Sequence, residues 1–205
     1  YDQQGKPCYE VPYADPKKGM RRTTLKDARK MGLVPSVTTI TKIIANPVLE
    51  TWKTNQAVMA ALTMPLIEGE SEEDYMGRLN KDAKSHAQNA ADFGTAIHYG
   101  VEVYLRTGNI PSIVHEYEVG HAVQAFANWW EGAGLTLLYT ERPFASPLGY
   151  GGKSDIVCKE AIVDIKSKDT KEGEKIVAYP DNGYQAVAYK QGLGLDSDVK
   201  CINVY

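Results

Sequence analysis

The sequence predicts an α/β (α+β) fold, a small mixed sheet flanked by helices with a helical N-terminal portion. Three observations lead there. Apolar residues recur at helical spacing as far as Gly132 and Gly134 and alternate with polar ones afterwards. Three strand-like segments then follow closely, and a short helical stretch separates the third from a last one. The 205 residues are 43% hydrophobic and 24% charged, a globular composition that excludes a disordered or fibrous chain.

Each element has its local reason. Tyr1 to Tyr13 reads as irregular or edge strand. Thr24 caps a helix over Leu25 to Met31, closed by Gly32. Pro35-Ser36 opens a short helical stretch through Ile44. Asn46-Pro47 supplies an N-cap and a proline at the first helical position of a helix to about Met64, with Val48, Trp52 and Met59 on one apolar face. Ser71 and Asp74 resemble a capping box, and Glu72, Glu73 and Asp74 suit the helix dipole. Two helices are expected from there, Ser71 to Gln88 and Ala90 to Arg106, the second stopped by Gly108. Another runs over Glu116 to Glu131. The strands are Leu135 to Phe144, Lys153 to Cys158, Ala161 to Ile165 and, after a helix over Tyr184 to Gln191, Val199 to Tyr205. The natural division is residues 1–70 as a helical, basic extension and 71–205 as the core, in one structural domain overall.

Net charge is −3, too small to imply a polyanionic partner by itself. Its distribution says more. Lys17, Lys18, Arg21, Arg22, Lys26, Arg29 and Lys30 crowd one stretch with a single acid, Asp27, while Glu68, Glu70, Glu72, Glu73 and Asp74 crowd another. Both suit a solvated surface, and the basic run also suits a phosphate-contacting edge. Cys8, Cys158 and Cys201 are odd in number and widely spaced, which indicates neither a zinc knuckle nor a disulfide framework and fits a reducing compartment. No apolar run approaches the roughly 18–20 residues of a membrane span, and no secretory leader opens the chain, so no membrane partner is expected.

Chemistry concentrates in Gly151-Gly152-Lys153-Ser154-Asp155 and Val163-Asp164-Ile165-Lys166. In a strand, Asp164 and Lys166 project from the same face. A symmetric turn at Lys159-Glu160 sets Val157 against Ile162 and Asp155 against Asp164, about 4.5–5.5 Å apart at Cβ. Like charges so opposed need a cation. Lys166, as a structural ion pair, is one answer; a divalent ion is the other, and oxygen ligands favour Mg²⁺ or Mn²⁺ over Zn²⁺. Three further groups are individually modest: His98 with Glu102 on one helix face after Gly94-Thr95, Glu141 on the preceding strand, and Gln185 with Tyr189 on the short helix. Each has an ordinary reading as surface decoration.

Their order is more specific. Gly-Thr-x-x-His, Glu, Gly-x-x-Asp, Asp-x-Lys and Gln-x-x-x-Tyr, from about Phe93 to Tyr189, resemble the RecB-type branch of the PD-(D/E)XK nuclease superfamily. Pro35-Ser36-Val37-Thr38-Thr39-Ile40, with Trp52 and Lys53 beyond, looks further like phage exonucleases related to the mitochondrial genome maintenance exonuclease. The resemblance implies a restriction-endonuclease-like core. It implies that Asp155, Asp164, the Ile165 carbonyl and His98 bind one or two Mg²⁺ or Mn²⁺ ions. Lys166 would orient or activate water and steady the phosphorane charge. Glu141 would hold a second ion or a water-bridged contact, and Gln185 and Tyr189 would support the site and face the DNA backbone. Ser154 stands where the family has proline. An iron–sulfur cluster is not expected, since that subset uses four cysteines.

The implied activity is a metal-dependent deoxyribonuclease, an exonuclease on single-stranded or end-bearing DNA, in a bacterial or phage-infected cytoplasm. The competing expectations are a structure-specific endonuclease, a DNA-binding protein that retains the fold without cleaving, and a metal-binding structural domain. Trp52, Trp129, Trp130 and Tyr99 are available to stack on bases, although most tryptophans in a domain of this size belong to its core.

Overall fold

In the computed structural model the described residues are 1–44, 47–112, 117–168, 173 and 175–205. A hairpin of β1 (Glu10–Pro12) and β2 (Met20–Arg22) comes first. The helices α1 (Leu25–Met31), α2 (Val37–Thr41), α3 (Pro47–Thr63), α4 (Glu72–Thr107) and α5 (Tyr117–Ala133) follow. Strands β3 (Leu137–Ser146), β4 (Tyr150–Cys158) and β5 (Ala161–Ile165), helix α6 (Pro180–Gly192) and strand β6 (Lys200–Val204) complete the order. The larger sheet is ordered β3-β4-β5-β6, antiparallel at the first two junctions and parallel at the third. The parallel junction follows from α6, which carries the chain back across the sheet.

The helices cover both faces of this sheet. Ile97 and Val101 of α4 and Val119, Val123 and Phe126 of α5 pack on Ile156, Ala161, Val163 and Ile165. On the other face Val37 of α2 and Tyr189 of α6 pack with Phe144 and Ile162. Every residue of β5 is buried, so this short strand is enclosed from both sides, as its near-continuous apolar run indicates.

Local capping follows the sequence. Thr24 and Asp27 form a reciprocal capping box on α1, and Gly32 closes it in the left-handed conformation at φ 65°. Ser71 accepts from the Asp74 amide at 3.1 Å, while the Asp74 carboxylate turns to the Ser71 hydroxyl.

Several expectations need correction. The two helices expected between Ser71 and Arg106 are one 36-residue helix, about 54 Å long at 1.5 Å per residue. No proline or left-handed glycine stands near Asn89 to break the helix, and α4 packs on both α3 and α5. The apolar face on α3 is not a core face: Met59 is 54% exposed and Trp52 36%, whereas Ala60 is buried. The basic run also contains the hairpin strand β2, which no alternating apolar pattern in its sequence signals. Trp129 and Trp130 pack around Phe126, with ring centroids at 5.5 and 5.9 Å, and lie against the core. Asn46, the Val48 side chain and Glu116 lie outside the described residues.

Candidate metal centre

The register of the sheet sets the site. Ile156 pairs with Val163 and Val157 with Ile162, as a turn at Lys159-Glu160 requires. On the other side Thr140 pairs with Ile156 and Arg142 with Ser154. Glu141, Asp155 and Asp164 therefore occupy one row across three strands, and Asp164 continues it to Asn203 on β6. A row of acids through an enclosed sheet is costly to leave uncompensated. Among the described residues Glu141 is the one non-glycine at positive φ, 52°, and it lies inside the continuous strand β3. Asp155 also reaches β5 through its side chain, where its Oδ2 accepts from the Ile165 amide at 2.9 Å.

Helix α4 supplies the next wall. A Cβ on Gly94 would lie 2.8 Å from the Ser167 hydroxyl, so glycine there lets the helix approach the end of β5 closely. One turn on, His98 Nε2 lies 3.1 Å from the Ile165 carbonyl. A carbonyl only accepts, so in the neutral imidazole Nε2 carries the hydrogen and Nδ1 turns its lone pair toward Asp155 Oδ2, 3.6 Å away. This is the orientation of a histidine whose second nitrogen is anchored and whose first is offered to a cation. Ligand atoms of His98, Glu141 and Asp155 lie within 4.8 Å of one another, so the three could hold a metal ion. They border a cavity of about 500 Å³ that is also lined by Gly94, Tyr99, Glu102 and Lys153.

The other expected residues form an adjoining relay. Asp164 is 1% exposed, and its Oδ2 stands 2.7 Å from Lys166 Nζ. The contact is charge against charge without hydrogen-bond alignment, so that oxygen accepts no hydrogen bond. Lys166 donates instead to Gln185 Oε1 at 3.1 Å, and Gln185 Nε2 donates to the Tyr189 hydroxyl at 2.7 Å. Tyr189 in turn fits a notch at Gly152, where a Cβ would lie 2.8 Å from its ring. Thus Lys166, Gln185 and Tyr189 are joined, and Asp164 belongs with them rather than with the trio around His98. The Ile165 carbonyl, expected as a ligand, orients His98.

Electrostatics tie the two halves together. Burial pushes the Asp155 carboxyl up to about 6, the Asp164 charge adds to the rise, and His98, the Ile165 amide and Lys166 oppose it. Burial also raises Asp164, against the pull of Lys166 and His98. Burial raises the Tyr189 phenol as well. Glu102, singled out beside His98, pairs with Arg106 at 2.7 Å, the ordinary helix-surface contact.

The sequence reading missed two neighbours. Lys153 forms an ion pair with Glu141. Alternation was the available signal, since Lys153 and Asp155 are two apart on one strand. Tyr1 packs over Gly151 and bonds the Tyr9 hydroxyl at 3.1 Å, which brings the N-terminal segment beside the site with no local motif to announce it. No protein-family model matches the chain, and no curated protein matches it.

Proposed function

We propose that this chain is a divalent-metal-dependent deoxyribonuclease with a restriction-endonuclease-like core, acting as an exonuclease on single-stranded or end-bearing DNA. The observation that carries the reading is the juxtaposition, at one row of the sheet, of the His98–Glu141–Asp155 trio with a lysine held by Asp164 and Gln185. Chain order adds support, because these are the residues on which the nuclease resemblance rests.

The donor set fits a hard divalent ion. Two carboxylates and one oriented imidazole suit Mn²⁺ or Mg²⁺, and burial of Asp155 beside the Asp164 charge makes a bound cation favourable there. His98, Glu141 and Asp155 would hold the ion. When bound, it supplies positive charge against phosphate oxygens and acidifies water. The remaining work falls to the chain. Lys166 sets a fixed charge where negative charge develops on the phosphoryl group. Asp164 and Gln185 hold that ammonium, and Tyr189 fixes which way the Gln185 amide faces. The cavity of about 500 Å³ leaves room for a sugar–phosphate segment.

The test is cleavage with Mg²⁺, Mn²⁺ or EDTA of end-labelled single-stranded DNA, linear duplex and a closed single-stranded circle. The proposal expects metal-dependent loss of linear strands with the circle intact. Cutting of the circle would replace exonuclease by endonuclease. Binding without cutting of any substrate would leave a non-catalytic DNA-binding protein.

A further inference from the structure

Lys153 has no part in the reading above, yet its ammonium lies against one of the three prospective ligands. The geometry is built in. Glu141 falls opposite Asp155 in the β3–β4 register, and Lys153 pairs with Pro143, so Lys153 and Glu141 are diagonal neighbours across the two strands. Glu141 takes a left-handed backbone conformation, φ 52°, within the continuous strand β3 at the point where its carboxylate meets the lysine. Both side chains border the cavity that contains His98 and Asp155. The lysine is also 43% exposed, and such ion pairs are weak enough for a divalent ion to displace.

A cation bound by Glu141 takes the carboxylate from Lys153. The other acids lining the cavity are already engaged, Glu102 by Arg106 and Asp155 by the Ile165 amide and, in the reading above, by the same cation. The displaced ammonium therefore faces the cavity with an unmet charge. Lys166 does not share this position, because Asp164 and Gln185 hold it.

We infer that Lys153 is a movable counter-ion coupling the metal site to substrate phosphate: it neutralises Glu141 in the metal-free protein and turns to a phosphate oxygen once Glu141 binds the metal. The inference deepens the nuclease reading and rests on it for the identity of the anion. Linkage fixes the signs. Lys153 opposes metal binding when no phosphate is present, and phosphate and metal each tighten the other through it.

The experiment is calorimetric titration of Mn²⁺ into the full chain, with and without saturating thymidine 5′-monophosphate, for wild type, Lys153→Gln and Lys153→Arg. Lys153→Gln should bind Mn²⁺ alone about fivefold tighter than wild type. The nucleotide should tighten Mn²⁺ binding about fivefold in wild type and Lys153→Arg, and less than about twofold in Lys153→Gln. Unchanged or weaker Mn²⁺ binding in Lys153→Gln overturns the inference, and so does equal tightening in all three proteins. A wild type that takes up no Mn²⁺ overturns it together with the metal site. Wild type showing the coupling while cleaving no DNA would sink the nuclease reading and leave the coupling standing.

Discussion

Glu141 concentrates the cost and the use of the site in one residue. A non-glycine side chain in the left-handed region costs about 1 kcal/mol or more, and Glu141 holds that conformation at φ 52° beside Asp155. Glu141→Gly should therefore stabilise the metal-free protein by about 1 kcal/mol in urea unfolding while weakening Mn²⁺ binding at least tenfold. A destabilised variant, or one that still binds Mn²⁺ normally, would contradict that account. Asp155 gives a pH prediction with a definite sign. Its folded pKa, about 6, lies above the ordinary carboxylate value, so folding favours the protonated form. Its contribution to metal-free stability is greatest below about pH 4 and is lost as pH rises through about 6. Asp155→Asn should flatten this part of a stability–pH profile and lose Mn²⁺ affinity in calorimetry. A profile unchanged by the substitution would show that Asp155 does not carry the effect.

Among the elements, α6 is coupled to β4 and β3 by absent side chains. Gly152 admits Tyr189, and Gly192 lies so close to Phe144 that a Cβ there would clash with the ring. Gly152→Ala should push α6 off the sheet at a cost of about 1–3 kcal/mol and reduce cleavage through the displaced Gln185. Normal stability in thermal melts would show that the notch is not needed. Much of this level was legible in the sequence. The caps Thr24 and Ser71 and strand β5 announce themselves through side chains that act on their own backbone or alternate across it. The exposed face of α3 was not legible. Its spacing is that of a buried helix, and whether a partner element covers such a face is decided by tertiary placement. The site divided in the same way. Asp164 and Lys166 belong together by strand alternation, whereas the pairing of Lys153 with Glu141 required the β3–β4 register, which no local pattern announces.

In the molecule as a whole, helices α4 and α6 meet the larger sheet at a site whose residues are spread from His98 to Tyr189. No helix among the described residues is long and apolar enough to cross a membrane. The exposed bases Lys17, Lys18, Arg22, Lys26, Arg29 and Lys30 remain available to a polyanion, while Arg21 is committed to Asp27 through two hydrogen bonds of 2.6 and 2.9 Å. Metal binding should register globally. At a Mn²⁺ concentration 100 times Kd the folded state gains about 2.7 kcal/mol, which for a chain of this length raises Tm by about 5–10 °C relative to EDTA. Absence of any shift would remove the metal centre from the account.

The most direct test of the central claim is single-turnover cleavage of an end-labelled linear single strand by wild type and Lys166→Ala, each with Mn²⁺ and with EDTA, alongside calorimetry of Mn²⁺ binding. Lys166 is assigned an electrostatic role and no metal contact. Lys166→Ala should therefore lose at least about a hundredfold in rate with Mn²⁺ affinity within about twofold of wild type. Near-normal turnover in Lys166→Ala, or wild-type cleavage that persists in EDTA, would contradict the account.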